Sequence, residues 1–170
     1  MNRIYIIDDE IEICESIKMI LEYENYEVEY STNPQKGLEY FLSEEFNCLL
    51  LDIQMNGLNG FEVLDLLYKR NNKTPIIMIS AYSSIQNAIK ATKLGAFDFI
   101  EKPIDRDKLL ISIRNAVEKS KLINENEKLK NNNLGSPKIL GNSPAIKNVL
   151  STISRVAKTE ARVLITGENG

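Results

Sequence analysis

The sequence predicts an α/β fold, a doubly wound five-stranded parallel sheet with helices on both faces. Two observations carry that prediction. From residue 3 the chain alternates short, almost wholly apolar runs with stretches of helical period, and each pair occupies a little over twenty residues.

The elements follow in order. "IYII" (4–7) precedes a stripe of Ile13, Ile17, Ile20 and Leu21, and "VEY" (28–30) precedes Leu38, Phe41 and Leu42. "CLLL" (48–51) precedes Phe61, Leu64 and Leu67, and "PIIMIS" (75–80) precedes Ile85, Ala88 and Ile89. "FDFI" (97–100) precedes a fifth helix bearing Leu109, Leu110, Ile113, Ala116 and Val117. Spacings of three and four place each set on one face of a helix, which the sheet can cover.

Past Val117 the pattern thins into "EKSKLINENEKLKNNN", where Leu122 and Leu129 lie seven apart among charges and asparagines. Two leucines make a weak heptad, so this stretch either pairs with a second copy of itself or is a solvated linker. The asparagine run and "GSP" at 135–137 mark a break. Residues 138–170 offer one amphipathic helix (Ala145 to Val156) and one strand (Val163 to Thr166), and about thirty residues cannot bury a core alone. The expected organisation is therefore a domain over 1–118, a linker helix over 119–137 and an incomplete unit over 138–170.

Composition narrows the chemistry. The 170 residues contain no histidine, which excludes Ser-His-Asp and Cys-His catalysis and histidine metal ligation. Cys14 and Cys48 sit inside apolar-periodic segments without C-x-x-C spacing and are expected as buried, reduced thiols. The net charge of −3 hides an asymmetry: residues 1–118 hold 20 acids against 12 bases, and residues 119–170 hold 4 against 9. An acidic domain without a helix-turn-helix pattern repels nucleic acid. No apolar run approaches the ~18 to 20 residues of a membrane span, and the start leads straight into strand-like sequence, so a cytoplasmic protein with no membrane partner is expected.

In a doubly wound sheet, reactive residues gather beyond the carboxyl ends of the strands. Those ends carry Asp8 and Asp9, then Asp52, then Ser80, then Glu101, Lys102 and Pro103. Singly, each has an ordinary explanation as a helix cap, a turn residue or a solvated lysine. Together they describe an acidic crevice. Three adjacent carboxylates stay ionised at neutral pH only with a cation among them, and a hard divalent ion, Mg²⁺ above all, suits oxygen ligands.

The "DDE" after the first strand, "LLLDIQMNGLNG" around Asp52, "PIIMISAYSS" and "GAFDFIEKP" resemble the receiver domain of two-component response regulators, in order, from about residue 3 to 118. The resemblance implies the strand order 2-1-3-4-5 of a flavodoxin-like receiver. It implies Asp52 as phosphoacceptor, Asp9 as a direct Mg²⁺ ligand beside Asp52, the backbone carbonyl of Gln54 as a third contact, and Asp8 acting through bound water. It makes Ser80 the hydroxyl that reaches a phosphoryl oxygen, Lys102 the phosphate-pairing lysine, often preceding a cis proline, and Phe99 the aromatic switch. The partner it implies is a sensor histidine kinase, with a homodimer formed through the linker helix and the receiver surface. Two positions depart from the family's "MPGMDG": Asn56 replaces proline, which should loosen the loop, and Asn59 replaces aspartate.

Residues 138–170 resemble the entry to the AAA+ ATPase domain of sigma-54-dependent activators of the NtrC/NtrX type. Gly167 and Gly170 would open a Walker A loop whose lysine and threonine this sequence does not include, so the 170 residues are expected to act as a signalling switch and not to hydrolyse ATP. DNA and sigma-54 RNA polymerase would be reached only through downstream domains. Two rivals remain. An Mg²⁺-dependent phosphatase with an aspartate nucleophile needs a second acid two residues on, where this chain has Gln54, and a non-phosphorylated pseudo-receiver would have no use for the complete set Asp9, Asp52, Ser80 and Lys102.

Overall fold

The computed structural model describes residues 2–81, 84–133, 143–157 and 164. Strands β1 (Arg3–Ile7), β2 (Glu27–Ser31), β3 (Cys48–Asp52), β4 (Ile76–Ser80) and β5 (Asp98–Glu101) alternate with helices α1 (Ile11–Tyr23), α2 (Pro34–Ser43), α3 (Gly60–Lys69), α4 (Ile85–Lys93) and α5 (Arg106–Asn133), and α6 (Pro144–Val156) follows. The strands form one sheet in the order β2-β1-β3-β4-β5, with every pairing parallel. Contacts divide the chain into two units, Met1–Lys128 and Leu129–Gly170.

In the first unit, successive strand residues feed opposite faces of the sheet, which is the period-two geometry of a strand. One face carries Tyr5, Ile7, Leu49, Leu51 and Met78 under Leu38 and Phe41 of α2, Leu64 and Leu67 of α3 and Ala91 of α4. The other carries Ile4, Ile6, Cys48, Leu50, Ile77, Ile79 and Ile100 under α1 and α5, the latter through Leu109, Ile113, Ala116 and Val117. Both cysteines are buried and free, as their apolar setting predicts.

Local chemistry sets the helix ends. Asn33 caps α2 through its side chain onto Lys36 N–H and is followed by Pro34 in the first turn. Asn59 caps α3: its Oδ1 accepts from Phe61 N–H at 2.9 Å while its own N–H donates to Glu62 at 3.1 Å, so the replacement of aspartate there keeps the capping box. Left-handed residues follow three helices, Asn25 (φ 62°) after α1, Asn71 (φ 54°) after α3 and Gly95 (φ 88°) after α4.

Two expectations are corrected. Ile85 and Ile89, read as part of the core face of α4, are 82% and 48% exposed, and only Ala91 of that helix is buried. Leu42 likewise faces outward, because Leu38 and Phe41 already fill the α2 contact. The helix α5 continues past its apolar stripe to Asn133, with Ser120 buried and Leu122 exposed.

In the second unit, α6 begins at Ser143, whose side chain accepts from Ile146 N–H, and at Pro144. It matches the helix expected from residue 145. None of its residues is buried, and Val149, Leu150 and Ile153 present an apolar face to the surface. Of the strand expected at 163–166 only Leu164 is described, outside any strand, and the loop residues Gly167 and Gly170 lie outside the described residues.

Candidate functional site: an acidic cleft at the carboxyl edge of the sheet

Parallel pairing brings the strand ends to one edge. Asp8 follows β1, Asp52 ends β3, Ser80 ends β4 and Lys102 follows β5. The backbone continues the pairing past the strands: Lys102 N–H donates to the Ser80 carbonyl at 2.8 Å, and Ile53 N–H donates to the Ile79 carbonyl at 3.0 Å. The Lys102–Pro103 bond is cis.

At this edge the side chains converge. Lys102 Nζ lies 2.9 Å from Asp8 Oδ2, 3.0 Å from Asp52 Oδ1 and 2.8 Å from Glu10 Oε1. Asp8, Asp52 and Ser80 are buried, and Asp9 is half-buried at the mouth. Each buried carboxylate has one oxygen capped by a backbone donor, Asp8 Oδ1 by Glu10 N–H at 2.9 Å and Asp52 Oδ2 by Gln54 N–H at 2.7 Å. The other oxygens, Asp8 Oδ2 and Asp52 Oδ1, sit at ion-pair distance from Lys102 but accept no well-directed hydrogen bond among the described residues. Asp9 Oδ2 accepts from both the N–H and the side-chain Nδ2 of Asn56, at 3.0 and 2.8 Å.

Electrostatics leave this cleft short of positive charge. Burial, with Asp8 nearby, pushes the Asp52 carboxyl up to about 6 despite the opposing pull of Lys102. Burial also raises Asp8, against the hydrogen bonds it receives. For Lys102 burial works against the ammonium, yet the bonds to Glu10, Asp8 and Asp52 outweigh it and hold the group above its ordinary range. One lysine among four carboxylates does not neutralise them. Asp8, Asp9 and Asp52 each offer an oxygen within 4.8 Å of the others, and two of the buried oxygens lack directed donors. That donor set, all oxygen and partly open at Asp9, fits Mg²⁺.

The family of response regulator receiver domains matches residues 4–114. The chain belongs to that family. Among curated relatives, NtrX of Azorhizobium caulinodans is 35% identical over 99% of this chain, and the transcriptional regulatory protein ZraR of Escherichia coli is 32% identical over 98%. The chain spans only 37% of the length of either. Among solved structures, NtrX from Brucella abortus in complex with ADP is 33% identical with a TM-score of 0.69, covering 95% of this chain and 36% of that one. The beryllofluoride-activated NtrC4 receiver domain dimer is 29% identical with a TM-score of 0.67, covering 71% of this chain and 99% of that one.

The receiver cleft brings together Asp8, Asp9, Asp52 and Lys102, with Ser80 at the adjoining strand end and Gln54 held beside Asp52 through its N–H. Phe99 stands apart: half-buried on β5, in register with Met78, it packs on the α2, α3 and α4 face of the sheet. Three receiver residues escaped the sequence reading. Glu10 was quoted only as part of "DDE", and nothing in one sequence says that an exposed acid will reach a lysine 92 residues away. Asn56, expected only to loosen its loop, instead binds Asp9. Gly60 opens α3 where a Cβ would collide with the Asp52 carbonyl oxygen and come within 2.9 Å of Ile53 Cα, so only glycine lets that helix close on β3. The "NG" at 59–60 was the available signal, but it reads equally well as an ordinary turn.

Proposed function

We propose that Asp52 accepts a phosphoryl group from a phosphohistidine on a sensor kinase, and that the change of charge at Asp52 switches the surface of the receiver. The observation that carries this reading is Lys102 Nζ at 3.0 Å from Asp52 Oδ1 in a buried acidic cleft. A carboxylate attacking phosphorus needs an in-line approach and positive charge beside the transferring oxygens, and no general base. Gln54 N–H holds Asp52 Oδ2 at 2.7 Å, which leaves Oδ1, beside Lys102 Nζ, as the nucleophilic oxygen. The new bond joins Asp52 to phosphorus as the phosphorus–nitrogen bond breaks and its electron pair returns to the donor imidazole. Lys102 pairs with the transferred oxygens, and the Ser80 hydroxyl reaches another.

Asp9, Asp52 and the Gln54 carbonyl would hold Mg²⁺, with Asp8 acting through water. When bound, the ion neutralises charge on the transferring oxygens. Water attack on the acyl phosphate later restores the carboxylate.

Phosphorylation adds about −1.5 to −2 charges at Asp52. Ser80 moves toward the phosphoryl group and the half-buried ring of Phe99 turns into the space behind it, reshaping the α4–β5 surface. The weak anchoring of α4, which buries only Ala91 and exposes Ile85, favours that surface as the responsive one. Coupling of this kind is worth about 1 to 3 kcal/mol, enough to shift a homodimer equilibrium. We read 1–118 as the receiver, 119–137 as a linker helix that can pair with its copy, and 138–170 as the start of a sigma-54 activator ATPase acting on transcription in the cytoplasm. The near-full coverage by NtrX and ZraR supports this.

Incubation with acetyl phosphate and Mg²⁺ tests the proposal by intact-protein mass spectrometry. A stable gain of one phosphoryl group, absent in Asp52→Asn, is expected. Repeated turnover of a phosphoester without such an adduct would instead identify a hydrolase.

A further inference from the structure

We propose that Asn56 is a positioning residue for metal binding, clamping one oxygen of Asp9 so that the other is presented to a divalent cation. This rests on the reading of Asp9 as a Mg²⁺ ligand.

Two donors of the same residue converge on Asp9 Oδ2, the backbone N–H at 3.0 Å and the side-chain Nδ2 at 2.8 Å, across 47 positions of sequence. Two bonds to one oxygen hold that oxygen in place and restrict rotation of the side chain. Asp9 also offers a carboxylate oxygen to the cluster shared with Asp8 and Asp52. The clamp has work to do, because Asp9 is half-buried beside two buried acids, and without a cation their repulsion favours rotation of its side chain toward solvent. Receivers carrying proline at this position have neither the N–H nor the amide, so such a clamp cannot form there. The same two bonds tie the segment between β3 and α3 to the start of α1, replacing a covalent restraint by a non-covalent one. Asn56 itself is exposed and packs into no core, which separates its effect on the metal from any effect on folding.

Outer hydrogen bonds to metal ligands typically account for about 10 to 100-fold in affinity. The test is a Mg²⁺ titration of the 170-residue chain, followed by calorimetry and by amide NMR, for the wild type, Asn56→Ala, Asn56→Pro and Asp9→Asn. Asn56→Ala, which keeps the backbone donor, is expected to raise the Kd for Mg²⁺ several-fold, and Asn56→Pro, which removes both donors, roughly tenfold or more. The metal-free urea midpoint of Asn56→Ala should stay at the wild-type value, and this variant decides the matter if the proline variant folds poorly. Binding as tight as wild type, or tighter, in Asn56→Ala and Asn56→Pro overturns the clamp. Equal binding by wild type and Asp9→Asn, or none by wild type, instead overturns the assignment of Asp9 on which the clamp depends.

Discussion

Lys102 Nζ and Asp52 Oδ1 stand 3.0 Å apart across two strand ends, and the same ammonium lies 2.9 Å from Asp8 Oδ2. One cation is thus shared by two buried anions. The cleft is built for a charge balance that the side chains alone do not reach, and stability is given up for that chemistry.

Removing the charge of Asp52 should therefore stabilise the metal-free protein. With burial pushing the Asp52 carboxyl up to about 6, Asp52→Asn is expected to gain about 1 to 3 kcal/mol at pH 8. Urea unfolding with and without the substitution measures this. A lower midpoint for Asp52→Asn would show that the Lys102 pair outweighs the burial cost.

The same carboxyl predicts a pH dependence. Its folded value of about 6 exceeds the ordinary 3.8, so between those values the folded state binds more protons than the unfolded state. Stability contributed by the protonated form is present below about pH 4 and lost as pH rises through 6. Asp8 is shifted in the same direction. Metal-free protein should show a falling urea midpoint from pH 4.5 to 7, and Mg²⁺ should stabilise more at pH 7.5 than at 5. A rising midpoint over that window would contradict the buried, charge-deficient cleft.

Gly60→Ala probes the closure of α3 on β3. The added Cβ meets backbone, at the Asp52 carbonyl and Ile53 Cα, which cannot step aside as a flexible side chain would. A loss of about 1 to 3 kcal/mol or more is expected, read by thermal or urea unfolding, with amide shifts centred on residues 52–60. A wild-type midpoint would mean that the helix start can slide without cost.

Phe99→Ala separates packing from switching. The ring is half-buried beside the core, so its removal should cost less than the ~3 to 5 kcal/mol of a fully buried phenylalanine. Phosphoryl uptake should persist, and the phosphorylation-dependent change in sedimentation should disappear. Identical responses in variant and wild type would remove Phe99 from the relay.

Parallel-strand periodicity made the sheet legible, because a strand buried on both faces must be apolar, as in the runs of β1, β3 and β4, while the edge strands β2 and β5 carry polar residues among apolar ones. Strand-end acids and the lysine were legible for the same reason, since the topology sends every carboxyl end to one edge. What periodicity could not tell was which stripes meet the sheet. Ile85 and Ile89 have helical spacing, yet α4 touches the core chiefly through Ala91.

The sequence by itself determined the order of elements, the residue types at the cleft and the charge excess that calls for a cation. These follow from local pattern, short-range caps and composition. Only the tertiary structure decided that Glu10 reaches Lys102, that Asn56 grips Asp9, and that Gly60 must lack a side chain. Each of those depends on two segments far apart in the chain arriving within a few ångströms. A one-dimensional pattern constrains which face a residue occupies but not which distant atom it meets.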